Sequence, residues 1–285
     1  MQSILQKDRV AVITGAAMGI GFAAAEKFAK YQMKLVLFDK NTDKLKQTEE
    51  ELKNKYTVEI ISINGDINST QDLTKLCDTV YNNFGECALL FNNAGIKENA
   101  LIFDGKEKWQ KHFNNNFFSI VEMQSIFLPK MIKNEKKSAI VNLGSKEGIT
   151  TPPGNDAYCA AKAAVKVLTE HTAHELRNLY PHISAHLLVP GYTYTPMNFP
   201  NMDKNNPAAQ PKETWSAAQV IDYFIEHFLN GDFYIICPDG EVSSELDAAR
   251  IEWAAADIYQ NRPALSRWHK DWKEKFNLWV KNKLK

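Results

Sequence analysis

A doubly wound α/β domain, with a mostly parallel sheet of seven strands and helices on both faces, is the fold this sequence predicts. Three observations predict it. Short β-rich runs recur along the 285 residues, separated by longer segments of helical periodicity. Several of these runs are continuously apolar rather than alternating, as strands covered on both faces must be. No internal repeat and no linker interrupts the pattern. Strands that alternate with helices take right-handed crossovers and build a parallel sheet between two helical layers.

In order, the expected strands are 9–14 (RVAVIT), 34–38 (KLVLF), 57–63 (TVEIISI), 87–91 (CALLF), 138–143 (SAIVNL), 183–189 (ISAHLLV) and 233–236 (FYII). Two segments depart from the alternation. Residues 192–215 hold four prolines and no clear period, the mark of a functional excursion from a compact domain. Its Tyr192, Tyr194, Met197, Phe199, Met202 and Trp215 are expected to line an apolar substrate pocket or to pack the loop down. From Pro263 onward the chain reads as helix, with Leu265, Trp268, Trp272, Phe276 and Trp279 spaced three and four apart. The expected organisation is one catalytic domain over 1–262 and an aromatic helical extension over 263–285, docked on its own subunit or a neighbour.

Composition narrows the class of function. With 34 basic and 34 acidic residues the formal net charge is zero, so bulk charge points to neither nucleic acid nor an acidic membrane surface. No apolar run approaches the ~18 residues of a membrane span, and MQSILQKDRV lacks the apolar core of a signal peptide. Cys77, Cys87, Cys159 and Cys237 are scattered without CxxC spacing and read as reduced thiols. A cytoplasmic protein is expected.

Directly after the first strand stands TGAAMGIG, residues 14–21, followed by helical FAAAEKFAK. Gly15, Gly19 and Gly21 thus sit at a strand-to-helix turn, where glycine lets the backbone approach a pyrophosphate that the helix N-terminus favours. Met18 and Ile20 belong to the same cradle. The second strand ends at Asp39, eighteen residues after Gly21; an acid there can accept both adenosine ribose hydroxyls and repels a 2′-phosphate. That favours NAD over NADP, a preference Lys40 would soften. The third strand leads into NGDIN with Asp66 and Ile67, and the fourth into NNAG with Asn93, Ala94 and Gly95. Four successive strand ends therefore carry residues suited to one dinucleotide.

The fifth strand ends in Gly-Ser, placing Ser145 at the same edge, and thirteen residues later stands Tyr158, in AYCAAKAAVK. Its Tyr158 and Lys162, four apart, share a helix face. Moving hydride at a carbinol carbon requires a proton to move on the adjoining oxygen. A free phenol, pKa about 10, is a poor base at neutral pH, and a neighbouring ammonium favours its ionised form. Ser145 can orient the substrate oxygen.

These motifs, in order and spacing over roughly residues 9–240, resemble the short-chain dehydrogenase/reductase superfamily in its compact single-domain branch. The resemblance rests on TGxxxGxG at 14–21, NNAG at 92–95, Ser145 with Tyr158-x-x-x-Lys162, and PGYTYTPM at 190–197. It implies a Rossmann-type fold and an NAD(P)(H)-dependent oxidoreductase interconverting a secondary alcohol and a ketone. Tyr158 is then the acid/base, and Lys162 also binds the nicotinamide ribose. Asn116, seven residues after Trp109 in WQKHFNNNFF, would hold a relay water; three consecutive asparagines leave room for a one-residue slip. Thr195 would donate to the carboxamide, with Pro190, Gly191 and Thr193 shaping that turn. The resemblance further implies a homodimer or homotetramer through the helices following Asn116 and Tyr158. A catalytically silent cofactor sensor or scaffold of the same fold is the rival, though such a protein is expected to lose the tyrosine or lysine. A dehydratase or epimerase is disfavoured by the glycine spacing and length.

The chain departs from the family at GSKEG, where Gly144 stands for a serine and Lys146 and Glu147 follow Ser145. Those two side chains are expected either to touch a polar or charged substrate group or to face solvent. His171 and His174 share a helix face but lack a third ligand, so no metal is expected. Cys159 reads as a packing residue rather than a nucleophile.

Overall fold

In the computed structural model, which describes residues 1–203, 206 and 209–285, the apolar runs pair as one sheet. In chain order the elements are β1 (Val10–Thr14), α1 (Gly19–Lys30), β2 (Lys34–Asp39), α2 (Thr42–Lys55), β3 (Ile60–Asn64), α3 (Thr70–Phe84) and β4 (Leu89–Asn92). There follow α4 (Lys106–Phe113), α5 (Ser119–Lys133), β5 (Ser138–Leu143), α6 (Glu147–Thr150), α7 (Asp156–Leu179) and β6 (Ile183–Val189). The last are β7 (Thr193–Tyr194), β8 (Trp215–Ser216), α8 (Ala217–Asn230), β9 (Tyr234–Ile236), α9 (Ser244–Tyr259) and α10 (Lys273–Lys283).

The sheet has seven strands in the order β3-β2-β1-β4-β5-β6-β9, and every neighbouring pair is parallel. Strand order reverses between β1 and β4, which opens a crevice at their carboxyl ends. The strands begin where partners begin. Residues 57–59 and 87–88 lie outside β3 and β4, because pairing starts at Leu35↔Ile60 and Ala11↔Leu89.

Each face carries its own core. On one side α1, α2 and α8 cover β1, β2 and β4, around Phe28, Phe91, Phe224 and Phe228. Phe28, Phe91 and Phe224 meet edge to face with centroids 5.6–6.5 Å apart. Each fully buried phenyl contributes roughly 1.5–3 kcal/mol from burial. On the other side Leu73, Leu76 and Val80 of α3 meet Met123, Phe127 and Met131 of α5. Local signals set the helix ends: Ser216 and Gln219 form a reciprocal capping box at α8, and Gly231 closes it in the left-handed region.

The two irregular segments hold more structure than periodicity suggests. The ends of the 192–215 excursion are clasped by a two-stranded ribbon, Thr193↔Trp215 and Tyr194↔Ser216. Phe199 packs on Tyr192 and Tyr194 at 5.4 and 5.0 Å, so part of the aromatic set holds the loop down. The extension is not one helix from Pro263. Leu265 takes φ 54, a single 3-10 turn covers Ser266–Trp268, and helix resumes only at Lys273. Asp257 of α9 causes the break, accepting from the backbone N–H and the hydroxyl of Ser266 at 3.0 and 2.6 Å. Trp253 of α9 donates to the same hydroxyl and is ringed by Trp272, Phe276 and Trp279, with Arg262 stacked 4.0 Å above it.

Candidate active site

At the switch point the turn after β1 lines a cavity of about 420 Å³. Gly15 takes φ 64, and a Cβ there would stand 2.9 Å from the Ala94 backbone, so strand ends β1 and β4 meet only because it is glycine. Thr14 Oγ1 accepts from the N–H groups of Asn93 and Ala94, and Asn93 Nδ2 donates to the Thr14 and Gly15 carbonyls. Helix α1 starts with no side-chain cap and no acid in its first turn. Its first N–H groups are therefore orphan donors at the positive end of a helix, suited to phosphate.

Met18, Gly19, Ile20, Asp39, Ile67, Asn93, Ala94, Gly95 and Thr195 all line this cavity, together with Lys40. Gly21 does not; it packs beneath the turn against the Gly15 carbonyl and Asn93. Asp39 accepts from the Ala17 and Asn41 N–H groups at 3.0 and 2.9 Å, which holds its carboxylate at the cavity mouth. Asp66 is exposed and outside the lining, because its carboxylate turns back onto the backbone and side chain of Asn68.

A second cavity of about 430 Å³ adjoins the first, with Ile20, Lys97, Leu143, Thr195 and Met197 in both walls. Ser145, Tyr158, Pro190, Gly191 and Thr193 line it. Thr193 Oγ1 donates to the Gly191 carbonyl and closes the turn after β6. Tyr158 is buried, its ring between two ammonium groups: Lys162 Nζ 5.8 Å and Lys97 Nζ 5.6 Å from its centroid. Lys162 is buried as well and donates to the Leu143 carbonyl at 2.7 Å.

Asn116 lies in a π-helical turn, Asn114–Phe118, between α4 and α5. Such turns rotate one residue out of helical register and recur at functional sites. Here the turn buries Asn116, leaves Asn114 on the surface and sets Asn115, half-buried, in the wall of the nucleotide cavity. The Asn116 amide clasps Ile96, accepting from its N–H at 2.9 Å and donating to its carbonyl at 3.0 Å. Gly95 makes room for this: a Cβ there would meet Asn116 Oδ1 at 2.5 Å and Lys162 Nζ at 3.9 Å. The four residues Asn116, Ser145, Tyr158 and Lys162 are thus neighbours, brought from three segments: the π turn, the turn after β5 and helix α7.

The electrostatics differ from the simple expectation of an ammonium lowering a phenol. Burial, and then the Glu147 carboxylate, raise Tyr158 well above the usual tyrosine range, with the Ser145 hydroxyl opposing. Burial lowers Lys162 to about 8. Desolvation disfavours both charged forms, so in this state the phenol keeps its proton.

Residues 9–206 match the family model for short chain dehydrogenases. The chain belongs to the short-chain dehydrogenase/reductase superfamily. It is similar to a CLA biosynthesis dehydrogenase/reductase of Lactiplantibacillus plantarum, 32% identical over 190 residues that cover 66% of each chain. It also resembles an NADP-dependent (R)-specific alcohol dehydrogenase of Lentilactobacillus kefiri, 27% identical over 67% of this chain and 75% of the other. Among solved structures, a short-chain dehydrogenase/reductase from Burkholderia phymatum in complex with NAD superposes with a TM-score of 0.80. That likeness is at 29% identity and covers 90% of this chain and 96% of that one.

This short-chain dehydrogenase/reductase carries charges at its site that the motifs do not announce. Lys146 and Glu147, left open between substrate and solvent, both line the second cavity and are both paired. Glu147 bonds Lys97 at 2.5 Å, and Lys146 bridges Asp239 at 3.2 Å and Asp247 at 2.5 Å. Arg250, Arg267 and Trp268 join the lining from α9 and the 3-10 turn. Among the described residues no three His, Cys, Asp or Glu side chains are grouped to hold a metal, and His174 is engaged with Arg177 and Asn178. All four cysteines are free and buried; Cys159 donates to the Pro152 carbonyl, and burial pushes its thiol up to about 12. No described helix is long and apolar enough to cross a membrane.

Proposed function

We propose that this protein interconverts a small-molecule secondary alcohol and its ketone with NAD(H), or NADP(H) in its place, using Tyr158 as acid/base. The observation that carries the reading is the shared wall: the cavity holding Ser145 and Tyr158 opens beside the nucleotide cradle, with Ile20, Lys97, Leu143, Thr195 and Met197 common to both. The uncapped start of α1 and the close approach at Gly15 fit a pyrophosphate, and Asp39 at the cavity mouth fits a free ribose. Lys40 in the same wall tempers the preference for NAD.

A nicotinamide cofactor held in the cradle would supply or accept the hydride. In ketone reduction Tyr158 Oη gives its proton to the carbonyl oxygen, a role that suits a buried neutral phenol. Ser145 Oγ, which accepts from the Glu147 N–H at 3.1 Å, is thereby oriented to donate a hydrogen bond to that oxygen while keeping its proton. Lys162, which donates to the Leu143 carbonyl at 2.7 Å, would hold the nicotinamide ribose and keep its charge beside the phenol in the oxidative direction. Asn116 anchors the Ile96 segment and keeps one lone pair of Oδ1 for a relay water. Residues 1–262 form the catalytic unit and 263–285 an extension packed on α9. Phe118 and Val167, 54% and 50% exposed on the segments after Asn116 and Tyr158, suit a homodimer or homotetramer contact in that region.

The test is Tyr158→Phe assayed by nicotinamide absorbance on a panel of secondary alcohols and ketones, with cofactor binding followed by tryptophan fluorescence. Turnover should fall by at least about a hundredfold with cofactor affinity unchanged. Turnover that survives in the variant refutes the mechanism.

A further inference from the structure

The second cavity holds cations that the reaction does not use. Its ionisable lining comprises Lys97, Glu147, Lys146, Asp239, Arg250 and Arg267, with Asp247 just behind. Lys97 is matched by Glu147, and Lys146 is shared by Asp239 and Asp247. Burial raises the Asp247 carboxyl, and Lys146 and then Arg250, one helical turn away, oppose this with their charge, so one guanidinium balances the remaining carboxylate. The other is left over. Among the described residues neither arginine has a carboxylate at ion-pair distance, and Arg250 Nε is buried without an acceptor. Arg267 is held by stacking instead, 4.7 Å from the Trp268 centroid and 5.3 Å from that of Phe276.

We propose that this site selects a substrate bearing a carboxylate, received by Arg267 and Arg250 in the cavity that presents Ser145 and Tyr158 to its hydroxyl or carbonyl. The proposal rests on the alcohol–ketone reading above and names the class of alcohol: a hydroxy- or oxo-carboxylic acid. Guanidinium groups suit it because their planar fork meets a carboxylate with two parallel hydrogen bonds. A stacked arginine is already ordered, so little side-chain entropy remains to be lost on binding. Burial and the neighbouring Arg250 lower Arg267 to about 10, which marks a place where two cations lie close and an anion is missing. The other walls, Trp268, Tyr192, Met197 and Pro152, are apolar and indicate an alkyl or aryl body between the acid and the reacting carbon. The two arginines come from α9 and the 3-10 turn, so the extension would contribute directly to substrate choice.

Binding tests this without turnover. Phenylacetate and 4-phenylbutyrate, each beside its primary amide, would be titrated by calorimetry into the protein with and without NADH. The acids should bind on the order of ten- to a hundredfold more tightly than the amides. Arg267→Gln and Arg250→Gln should each remove most of that preference, with a melting temperature in the absence of ligand close to the parent's. Two variants are needed because Arg267 also holds Trp268 and Phe276. Equal affinity for acid and amide, binding of neither, or a preference that survives both replacements overturns the proposal. An intact acid preference in a protein that turns over no alcohol or ketone would refute the reaction and leave the carboxylate subsite standing.

Discussion

Replacing Glu147 with Gln should move the pH dependence of alcohol oxidation downward. In the parent, Glu147 neutralises Lys97 at 2.5 Å and raises the Tyr158 phenol by its own charge. Glutamine removes the anion and leaves Lys97 Nζ unpaired, 5.6 Å from the phenol ring centroid. A unit charge at that distance and an effective dielectric of about 20 interacts with a phenolate by about 3 kcal/mol, equivalent to about two pKa units. Lys97 is 27% exposed, and solvent and salt reduce the effect to about one unit. The sign follows from the base form. Oxidation needs the phenolate, a freed ammonium stabilises it, and its pKa falls. The rising limb of kcat/KM for oxidation, followed by nicotinamide absorbance across pH, should shift about one unit lower in Glu147→Gln. Lys97→Met should shift it higher. An unmoved limb in Glu147→Gln, or both variants moving the same way, would refute the reasoning.

Two further outcomes are expected. Lys162→Met should stabilise the protein without cofactor at pH 7 by up to about 3 kcal/mol, since burial lowers this lysine from 10.5 to about 8. Between those pH values the folded state binds fewer protons than the unfolded, so the lysine's penalty is full below pH 8 and vanishes near 10.5. The difference between variant and parent in urea melts should shrink over that window; a difference independent of pH would contradict the assignment. The buried thiols, all raised, weaken both proteins alike at alkaline pH and cancel in the difference. Asp39→Asn should narrow the gap between NAD and NADP dissociation constants by about tenfold or more, measured by fluorescence. It should also cost about 1–2 kcal/mol of stability, because the Ala17 and Asn41 N–H groups lose a charged acceptor.

The nucleotide cradle and the Tyr158–Lys162 pair were legible because each is local. Glycines between a strand and a helix, or two residues four apart on a helix, carry their geometry in their spacing. Asn116 was readable only to within one residue, since NNNFF contains no signal for the π turn that selects the third asparagine. Asp66 reads like its neighbours in NGDIN, yet the Asn68 N–H groups draw it away from the cavity that Ile67 lines. The partners of Lys146 and Glu147 lay ninety-three and fifty residues away, at Asp239 and Lys97, beyond any motif. The extension misled most: its aromatic spacing suggested one helix, but Asp257 captures Ser266 and the stripe divides between Trp253 and the cavity.

By itself the sequence determined the parallel sheet, the helical layers, the cradle, and the residue types able to move a proton beside a dinucleotide. Those follow from backbone geometry and burial of apolar runs, which act over a few residues at a time. Only the tertiary structure decided which charges share the second cavity and which remain unmatched. Charge pairing depends on distance in space, and α9 and the extension reach Ser145 and Tyr158 only after the chain has folded around the sheet.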